Sequence, residues 1–302
     1  MNLSCVTGES VAMVGPQDDL TYRYEHLGAG PQTLKEIADG THPFCQTLKS
    51  AKKPMLIVGQ GALAHADGAR VLGAARRIAE SCGLVKDGWN GFNVLHTAAA
   101  RVGALDLGLV PGPGGRDVAG ILDGASKGEI EVVFLLGADE IDMSRLGRAF
   151  VVYQGSHGDA GAHRADVVLP GAAYTEKAAT YVNTEGRVQR TRRAVFAPGE
   201  AREDWTILRA LSDALGKRLP YDDVSALRQR MVAVNSVFGR LDTVEPAAWG
   251  PFGEDGPMDA APFVSPVRNF YMTDPISRAS LTMAECTRLL AGGAKGMTGT
   301  DG

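Results

Sequence analysis

Between Ala165 and Thr191 the sequence runs ADVVLPGAAYTEKAATYVNTEGRVQRT. It opens as a short β-branched strand that Pro170-Gly171 stops, then turns polar: hydroxyl side chains, Glu176, Asn183, Glu185 and a basic cluster. A polar loop hung on the end of a buried strand is suited to cradle an anionic cofactor, since ligands of α/β sheets bind beyond the carboxyl ends of strands. The same loop is also what remains of such a cradle when its polar groups satisfy one another.

Three further clusters invite a chemical reading. Gly59-Gln-Gly61-Ala-Leu-Ala64 fits G-x-G-x-x-G/A after a strand, the pattern that lets backbone N–H groups reach a dinucleotide pyrophosphate. Against it, Asp67 puts a carboxylate where the phosphate would lie, and the acid about 20 residues on, Glu80, sits inside a helix; a tight strand-to-helix turn is the competing reading. In SHGDAGAH, His157, Asp159 and His163 could ligate a metal, but their spacing matches no standard zinc pattern. Ser156, His157 and Asp159 are too close in sequence to line up as nucleophile, base and orienter. Arg187, Arg190, Arg192 and Arg193 read as a solvated face, a contact for an acidic partner, or a phosphate site. Cys5, Cys45, Cys82 and Cys286 are scattered and form no C-x-x-C pair, so no self-contained zinc or iron–sulphur site is expected.

The elements that position these groups alternate. Strands are expected at Val11–Gly15, Met55–Val58, Ile130–Leu136, Ala149–Gly155 and Ala165–Leu169, apolar on both faces as in a parallel sheet between helices. Helices are expected at Pro31–Gly40, over DGARVLGAARRIAESCG with Asp67 as N-cap and Gly83 beyond its end, and at Phe92–Val102. A further helix follows Glu200, with Trp205, Leu208, Leu211 and Leu215 as its buried stripe, and others cover Asp222–Asn235 and Ser277–Leu290. Pro and Gly crowd 245–266, which reads as an extended surface arm that orders against a neighbouring subunit, with Phe270, Tyr271 and Met272 as anchors or as packing on the chain's own core. Four regions are expected: 1–48, the end of an α/β half-domain; 49–197, a Rossmann-like domain with the polar loop 170–193; 198–240, helical; and 241–302, arm, terminal helix and flexible tail.

Several blocks in order carry a family resemblance: VGPQDDLTYRYEHLG, KKPMLIVGQGAL, VFLLGADE, YQGSHGDAGAHRADVVLPGAAYTEKAATYVNTEGRVQRT, AREDWTILRALSDALG and FYMTDPISRASLTMAEC. ADVVLP followed by Glu176 and T-x-x-N-x-E-G-R resembles the late α/β region of the molybdopterin oxidoreductase superfamily. The chain as a whole resembles the C-terminal part of the G subunits, the large iron–sulphur subunits, of respiratory complex I. That resemblance implies an α/β fold with a parallel, Rossmann-like sheet between helices, then a helical and extended arm. It implies a vestigial pterin-type loop at Glu176, Thr180, Asn183, Glu185, Gly186 and Arg187, with no catalytic, cofactor-binding or metal residue in this chain. The [2Fe-2S] and [4Fe-4S] clusters of the family would lie upstream of residue 1, making the chain part of a larger subunit. Its implied role is a noncatalytic scaffold in the peripheral arm, with other arm subunits as partners, on the cytoplasmic face of a bacterial inner membrane or the mitochondrial matrix side. A molybdopterin-dependent enzyme fragment and an NAD(P)-binding module are the alternatives.

Composition narrows the classes. The 302-residue chain has a net charge of −4, which disfavours a nucleic-acid partner because phosphate contacts want a basic field. No apolar run approaches the length of a membrane span.

Overall fold

The computed structural model describes residues 2–5, 10–18, 20 and 22–290. The chain folds as two compact units, and both the middle and the end of the sequence contribute to each. The first comprises Met1–Val102, Val182–Arg187 and Val244–Arg268; the second comprises Gly103–Tyr181, Val188–Thr243 and Asn269–Gly302. The expected break after residue 48 does not divide them, because strands on either side of it pair in one sheet. Among the described residues no helix is long and apolar enough to cross a membrane.

In the first unit the order is β1 (Asn2–Cys5), β2 (Ser10–Val14), β3 (Glu25–Gly28), α1 (Pro31–Ala38), α2 (Phe44–Ser50), β4 (Pro54–Gly59), α3 (Gln60–Leu63) and α4 (Gly68–Ser81). The small hairpin β5 (Val85–Lys86) and β6 (Trp89–Asn90) and the strand β7 (Phe92–Leu95) follow. The sheet order is β3-β2-β1-β4-β7. It is mixed: β2–β3 and β4–β7 are parallel, and β1 runs antiparallel to both neighbours, so the expected all-parallel sheet does not hold here. The helix expected at Phe92–Val102 is a strand first, because Phe92-Asn-Val-Leu pairs in register with Leu56–Gly59; the helix α5 (Arg101–Asp106) begins only after it. The core is built where periodicity put it. Leu34 and Ile37 of α1, Leu48 of α2, and Val71, Ala75 and Ile78 of α4 are fully buried against Leu56 and Val58 of β4. Each large side chain so buried contributes about 1.5–3 kcal/mol.

The segment 244–268 corrects an expectation. It packs into this unit: Phe263 enters the core and Met258 packs against it. Backbone bonds fix its path, Glu254 N to Ala69 O at 2.8 Å and Phe263 N to Ala29 O at 2.9 Å. Trp249 and Phe252 meet Phe92 with ring centroids 5.3 and 5.4 Å away, and the Trp249 indole donates to Glu80 at 3.1 Å. What admits the arm is glycine. A Cβ on Gly73 of α4 would lie 2.2 Å from the Glu254 carbonyl oxygen, and one on Gly253, whose φ is +73°, would lie 2.3 Å from Gly73 N. An extended segment without a core of its own has thus borrowed that of its own chain.

In the second unit α6 (Val118–Ser126) leads to β8 (Val132–Leu136), β9 (Phe150–Gly155), α7 (Ala160–Arg164) and β10 (Val167–Pro170). The three strands are parallel, in the order β10-β9-β8. A hairpin, β11 (Thr180–Val182) and β12 (Val188–Arg190), precedes α8 (Asp204–Ala214), α9 (Val224–Val234), α10 (Pro275–Arg278) and α11 (Leu281–Leu290). Leu122 and Ala125 of α6 cover Val133, Leu135, Val151 and Tyr153 on one sheet face. The alternate residues are less protected: Val132 is 61% exposed, Leu136 53% and Phe150 47%. So the strands are apolar on both faces, as expected, but only one face is fully covered. In α8 the expected stripe is only half-buried at Trp205, Leu208 and Leu211. Arg209 and Ser212 are buried, while Leu215 is 68% exposed. Arg209 is bonded to Asp222, whose Oδ1 accepts from it at 2.7 Å. Met272 is buried, whereas Phe270 is 79% exposed, so the three expected anchors do not act alike. The expected flexible tail, 291–302, lies outside the described residues.

Gly73→Val drives a side chain into the backbone of the arm and should cost about 1–3 kcal/mol. Thermal denaturation should show the loss, and limited proteolysis should cut first within 244–268. Protection equal to wild type would mean that the arm does not lie on α4.

Candidate functional site

Parallel strands bring loops together at their carboxyl ends, and in the second unit those loops are Gly137–Glu140 after β8, Ser156–Asp159 after β9 and Gly171–Lys177 after β10. A cleft of about 520 Å³ opens there, lined by Ser156, Ala172, Ala173, Tyr174 and Lys177 from the loops and by residues 274–277. This is where an open α/β sheet takes a ligand.

Its charges are already engaged. Lys177 pairs with Asp204, which also accepts from Gln154 Nε2 at 3.0 Å. Asp274 caps α10, accepting from Ile276 N at 2.9 Å and Ser277 N at 3.1 Å. Burial opposes its charge, yet the bonds from Ser277 and Ile276 hold the Asp274 carboxyl below the usual range. Beside the cleft, Arg278 pairs with Asp159 and reaches Glu140 at 2.9 Å. Its side chain is 15% exposed and that of Asp159 9%, so this ion pair is largely dry. Removing one partner of such a pair would leave a charge uncompensated.

Beneath the loops lies a carboxylate that sequence reading passed over. Asp139 is 7% exposed; its Oδ1 accepts Gly161 N at 2.8 Å and its Oδ2 lies 3.0 Å from the Tyr153 hydroxyl. That hydroxyl also faces His157 O at 2.9 Å. One phenolic proton cannot fully serve two acceptors. Burial pushes the Asp139 carboxyl up, against the bonds from Gly161 and Tyr153; burial and Asp139 together push the Tyr153 phenol up. When Asp139 is protonated it donates to the phenol oxygen, and the phenol proton is freed for His157 O. The only sequence signal was the acid at the end of the strongest strand, VFLLGADE.

The metal reading of SHGDAGAH receives no support from geometry. Among the described residues no group of three or more His, Cys, Asp or Glu is placed to hold a metal, and Asp159 is committed to Arg278. Ser156 Oγ lies 3.0 Å from His157 Nδ1, but Asp159 turns to Arg278 instead of orienting that ring. The dinucleotide reading fares likewise. A Cβ on Gly61 would lie 2.5 Å from Pro266 Cδ, so the arm occupies the side on which a pyrophosphate would have to approach. Asp67 holds the N-cap position without capping by its side chain; it accepts from Arg70 at 2.7 Å and from Asp259 N at 2.6 Å. The Asp259 bond, with Arg70, keeps the Asp67 carboxyl below its usual range. Glu80 accepts from Trp249. Gly83, with φ +64°, ends α4 as expected.

The polar loop is divided between the units. In the second, Glu176 Oε2 accepts Ala173 N at 2.9 Å, and Thr180 opens β11. In the first, the turn closes on itself. Asn183 Oδ1 accepts Glu185 N and Arg187 N, both at 3.0 Å; Asn183 Nδ2 and Arg187 Nε each reach Glu185 Oε2 at 3.2 Å. The Asn183 bond and then Arg187 pull the Glu185 carboxyl below its usual range. Gly186 takes φ +83°, the left-handed conformation the tight turn requires. The four arginines do not act as one cluster: Arg187 joins this turn, and Arg193 lies 4.3 Å above the Phe196 ring.

Comparison with known proteins brings these features together. The family model for molybdopterin oxidoreductases matches residues 7–214, and that for the C-terminal region of the NADH-ubiquinone oxidoreductase G subunit matches 243–286. The chain is 44% identical over 283 residues to the NADH-ubiquinone oxidoreductase 75 kDa subunit of Reclinomonas americana, covering 93% of this chain and 40% of the relative. It is 46% identical over 288 residues to the mitochondrial NADH dehydrogenase (ubiquinone) iron-sulfur protein 1 of Solanum tuberosum, covering 94% and 38%. The chain therefore spans about two fifths of the length of these relatives. Among solved structures, acetylene hydratase from Pelobacter acetylenicus aligns with a TM-score of 0.36 and 17% identity over 46% of this chain and 23% of its own.

Two substitutions test the local readings. Tyr153→Phe should lower stability by about 1–3 kcal/mol where Asp139 is ionised, because a buried carboxylate loses a donor. The raised Asp139 pKa means that the native state binds more protons than the unfolded one between the ordinary value and the folded one, so this group's contribution declines as pH rises through that window. The Tyr153 bond favours the charged form. Its loss should therefore matter most above the folded Asp139 pKa and less as pH falls through it. Urea titrations at several pH values would show this; a pH-independent penalty would contradict it. Asn183→Ala removes two bonds to backbone N–H groups and should cost about 1 kcal/mol, read from the same titrations.

Proposed function

The chain belongs to the molybdopterin oxidoreductase family, and we propose that within it this polypeptide is a noncatalytic scaffold of the peripheral arm of a respiratory NADH:quinone oxidoreductase. The observation that carries the reading is the similarity to complex I iron–sulphur subunits over more than nine tenths of the chain, continued through 243–286 by the G-subunit match. In this reading the two units are remnants of a Rossmann-like, doubly wound architecture. Electron transfer belongs to centres outside the segment, and the segment holds its neighbours in place at the membrane-facing enzyme.

The chemistry of the loop supports the noncatalytic half of the proposal. A pterin with its phosphates needs donors and acceptors left open at its binding edge. Asn183 and Glu185 commit their polar atoms to the turn, Lys177 is paired with Asp204, and Arg278 with Asp159 and Glu140. Among the described residues, the buried side-chain atoms without a hydrogen-bond partner are Arg76 Nε, His96 Nδ1 and Gln154 Oε1, none of them within residues 170–193. The residues of the loop do not fit the group. The scaffold half is supported by the apolar strand residues Val132, Leu136 and Phe150, whose exposure suits a surface that larger assembly covers.

A tagged chain expressed in its own organism should bring NADH dehydrogenase activity with it when purified from detergent-solubilised membranes, and metal analysis of the isolated chain should find molybdenum and tungsten well below one equivalent. Absence of the activity would remove the scaffold role. A stoichiometric metal with a fluorescent pterin would replace it by the enzymatic alternative.

A further inference from the structure

α9 differs from the other long helices. None of its 11 residues is fully buried, whereas α4 buries Val71, Ala75 and Ile78. A helix this short is marginal in water unless one face packs. Its N-terminus is secured by Asp223, which accepts Ala226 N at 2.8 Å, and the turn Ser236–Gly239 follows its end. Val224, Arg228 and Val232 lie four residues apart and so form one line along the helix; Ser225 and Gln229 form the adjacent line. With Arg190 from the end of β12 they border a groove of about 500 Å³.

Among the described residues, neither Arg190 nor Arg228 forms an ion pair or a side-chain hydrogen bond. Burial, and then the like charge of Arg190, lowers the Arg228 pKa, with Glu203 opposing; both arginines line the groove. Glu203 accepts from the Trp205 indole at 2.8 Å. One half-buried cation, Arg228, and one exposed cation, Arg190, between Val224 and Val232 suit an anion that brings apolar groups on either side. A free phosphate would instead want donors converging on one point, including backbone N–H groups, and the first turn of α9 has given Ala226 N to Asp223. The stripe from 224 to 232 is roughly 12 Å long, the reach of two helical turns.

From this geometry we infer that the α9 groove is a docking surface for an acidic segment of another polypeptide, whose Asp or Glu enters between Arg190 and Arg228 while apolar side chains one turn to each side rest on Val224 and Val232. Arg forks meet carboxylates in pairs, which fixes the register of the partner. The surface does not depend on which assembly the chain joins.

The test places a photoactivatable benzoylphenylalanine at Gln229 in the full chain, in its own cells, and maps the cross-link by mass spectrometry. The expected product is one polypeptide joined within a helical turn of an acidic residue. The yield should fall about tenfold or more in the Arg190→Glu/Arg228→Glu chain, since like charges across an interface repel, and should recover when the mapped acid is changed to Lys. Arg228→Gln serves as a gentler variant, and circular dichroism melting verifies that each chain is folded. No cross-link, a cross-link indifferent to charge reversal, or one at a segment without an acid would overturn the inference. So would loss of the cross-link in millimolar inorganic phosphate at constant ionic strength, which would mark a small-anion site. A qualifying cross-link to a protein outside the NADH dehydrogenase leaves this inference standing and removes the scaffold reading. A chain that co-purifies with that enzyme yet gives no cross-link does the reverse.

Discussion

A buried polar group needs a partner, and at the carboxyl ends of these strands the charged side chains find theirs within the chain, while Gln154 Oε1 has none among the described residues. In the second unit Arg278 enters the loops after β8 and β9 and takes Asp159 and Glu140. In the first, Pro266 lies against Gly61 at the end of β4. Both contacts come from the last part of the sequence, on either side of residue 268. A ligand would have to displace covalently tethered groups whose effective concentration is set by the fold, which is a steeper competition than displacing water.

The same constraint explains why the ionisable groups of the second unit are distributed as they are. Asp139 has only a backbone N–H and a phenol to lean on, and its carboxyl is pushed up by burial. Asp159 has a guanidinium. The two acids thus differ in what they were given. Asp139 is tied to the sheet through Gly161 N and Tyr153, and Asp159 is tied to α10. One carboxylate holds strand to loop, and the other holds loop to the C-terminal segment. A catalytic pair would instead point both acids into a shared space; here each is turned toward a structural partner.

How much of this was legible in the sequence depended on distance along the chain. α4 was readable because Val71, Ala75 and Ile78 repeat within fourteen residues, and Gly83 marks its end. The turn at Asn183–Arg187 was readable because Asn, Gly and their backbone bonds are local. β7 was not: Phe92-Asn-Val-Leu gains its strand identity from Leu56–Gly59, far upstream. Nor was the fate of 244–268, which rests on Gly73 and Gly253 touching across the fold. The stripe expected in α8 is only half-buried, and the buried places go to Arg209 and Ser212. Arg209 is buried while bonded to Asp213 and to Asp222, an acid beyond the helix end, and period alone gives no weight to such pairs. Asp139 was overlooked because an acid after a strand is common, and only burial makes it unusual.

The evolution of function in such a fold turns on which contacts tolerate change. A cradle whose donors are committed to one another loses little when the ligand is absent, since no buried donor is orphaned. The turn at Asn183 has this property: its amide and the Glu185 carboxylate close the loop whether or not anything lies beside it. A scaffold needs such indifference in its interior and selectivity at its surface. The apolar strand residues Val132, Leu136 and Phe150 and the unpaired guanidiniums of Arg190 and Arg228 are where this chain keeps groups without internal use. On the proposed scaffold role, the polar loop is closed by self-recognition and recognition of a partner falls to the outside.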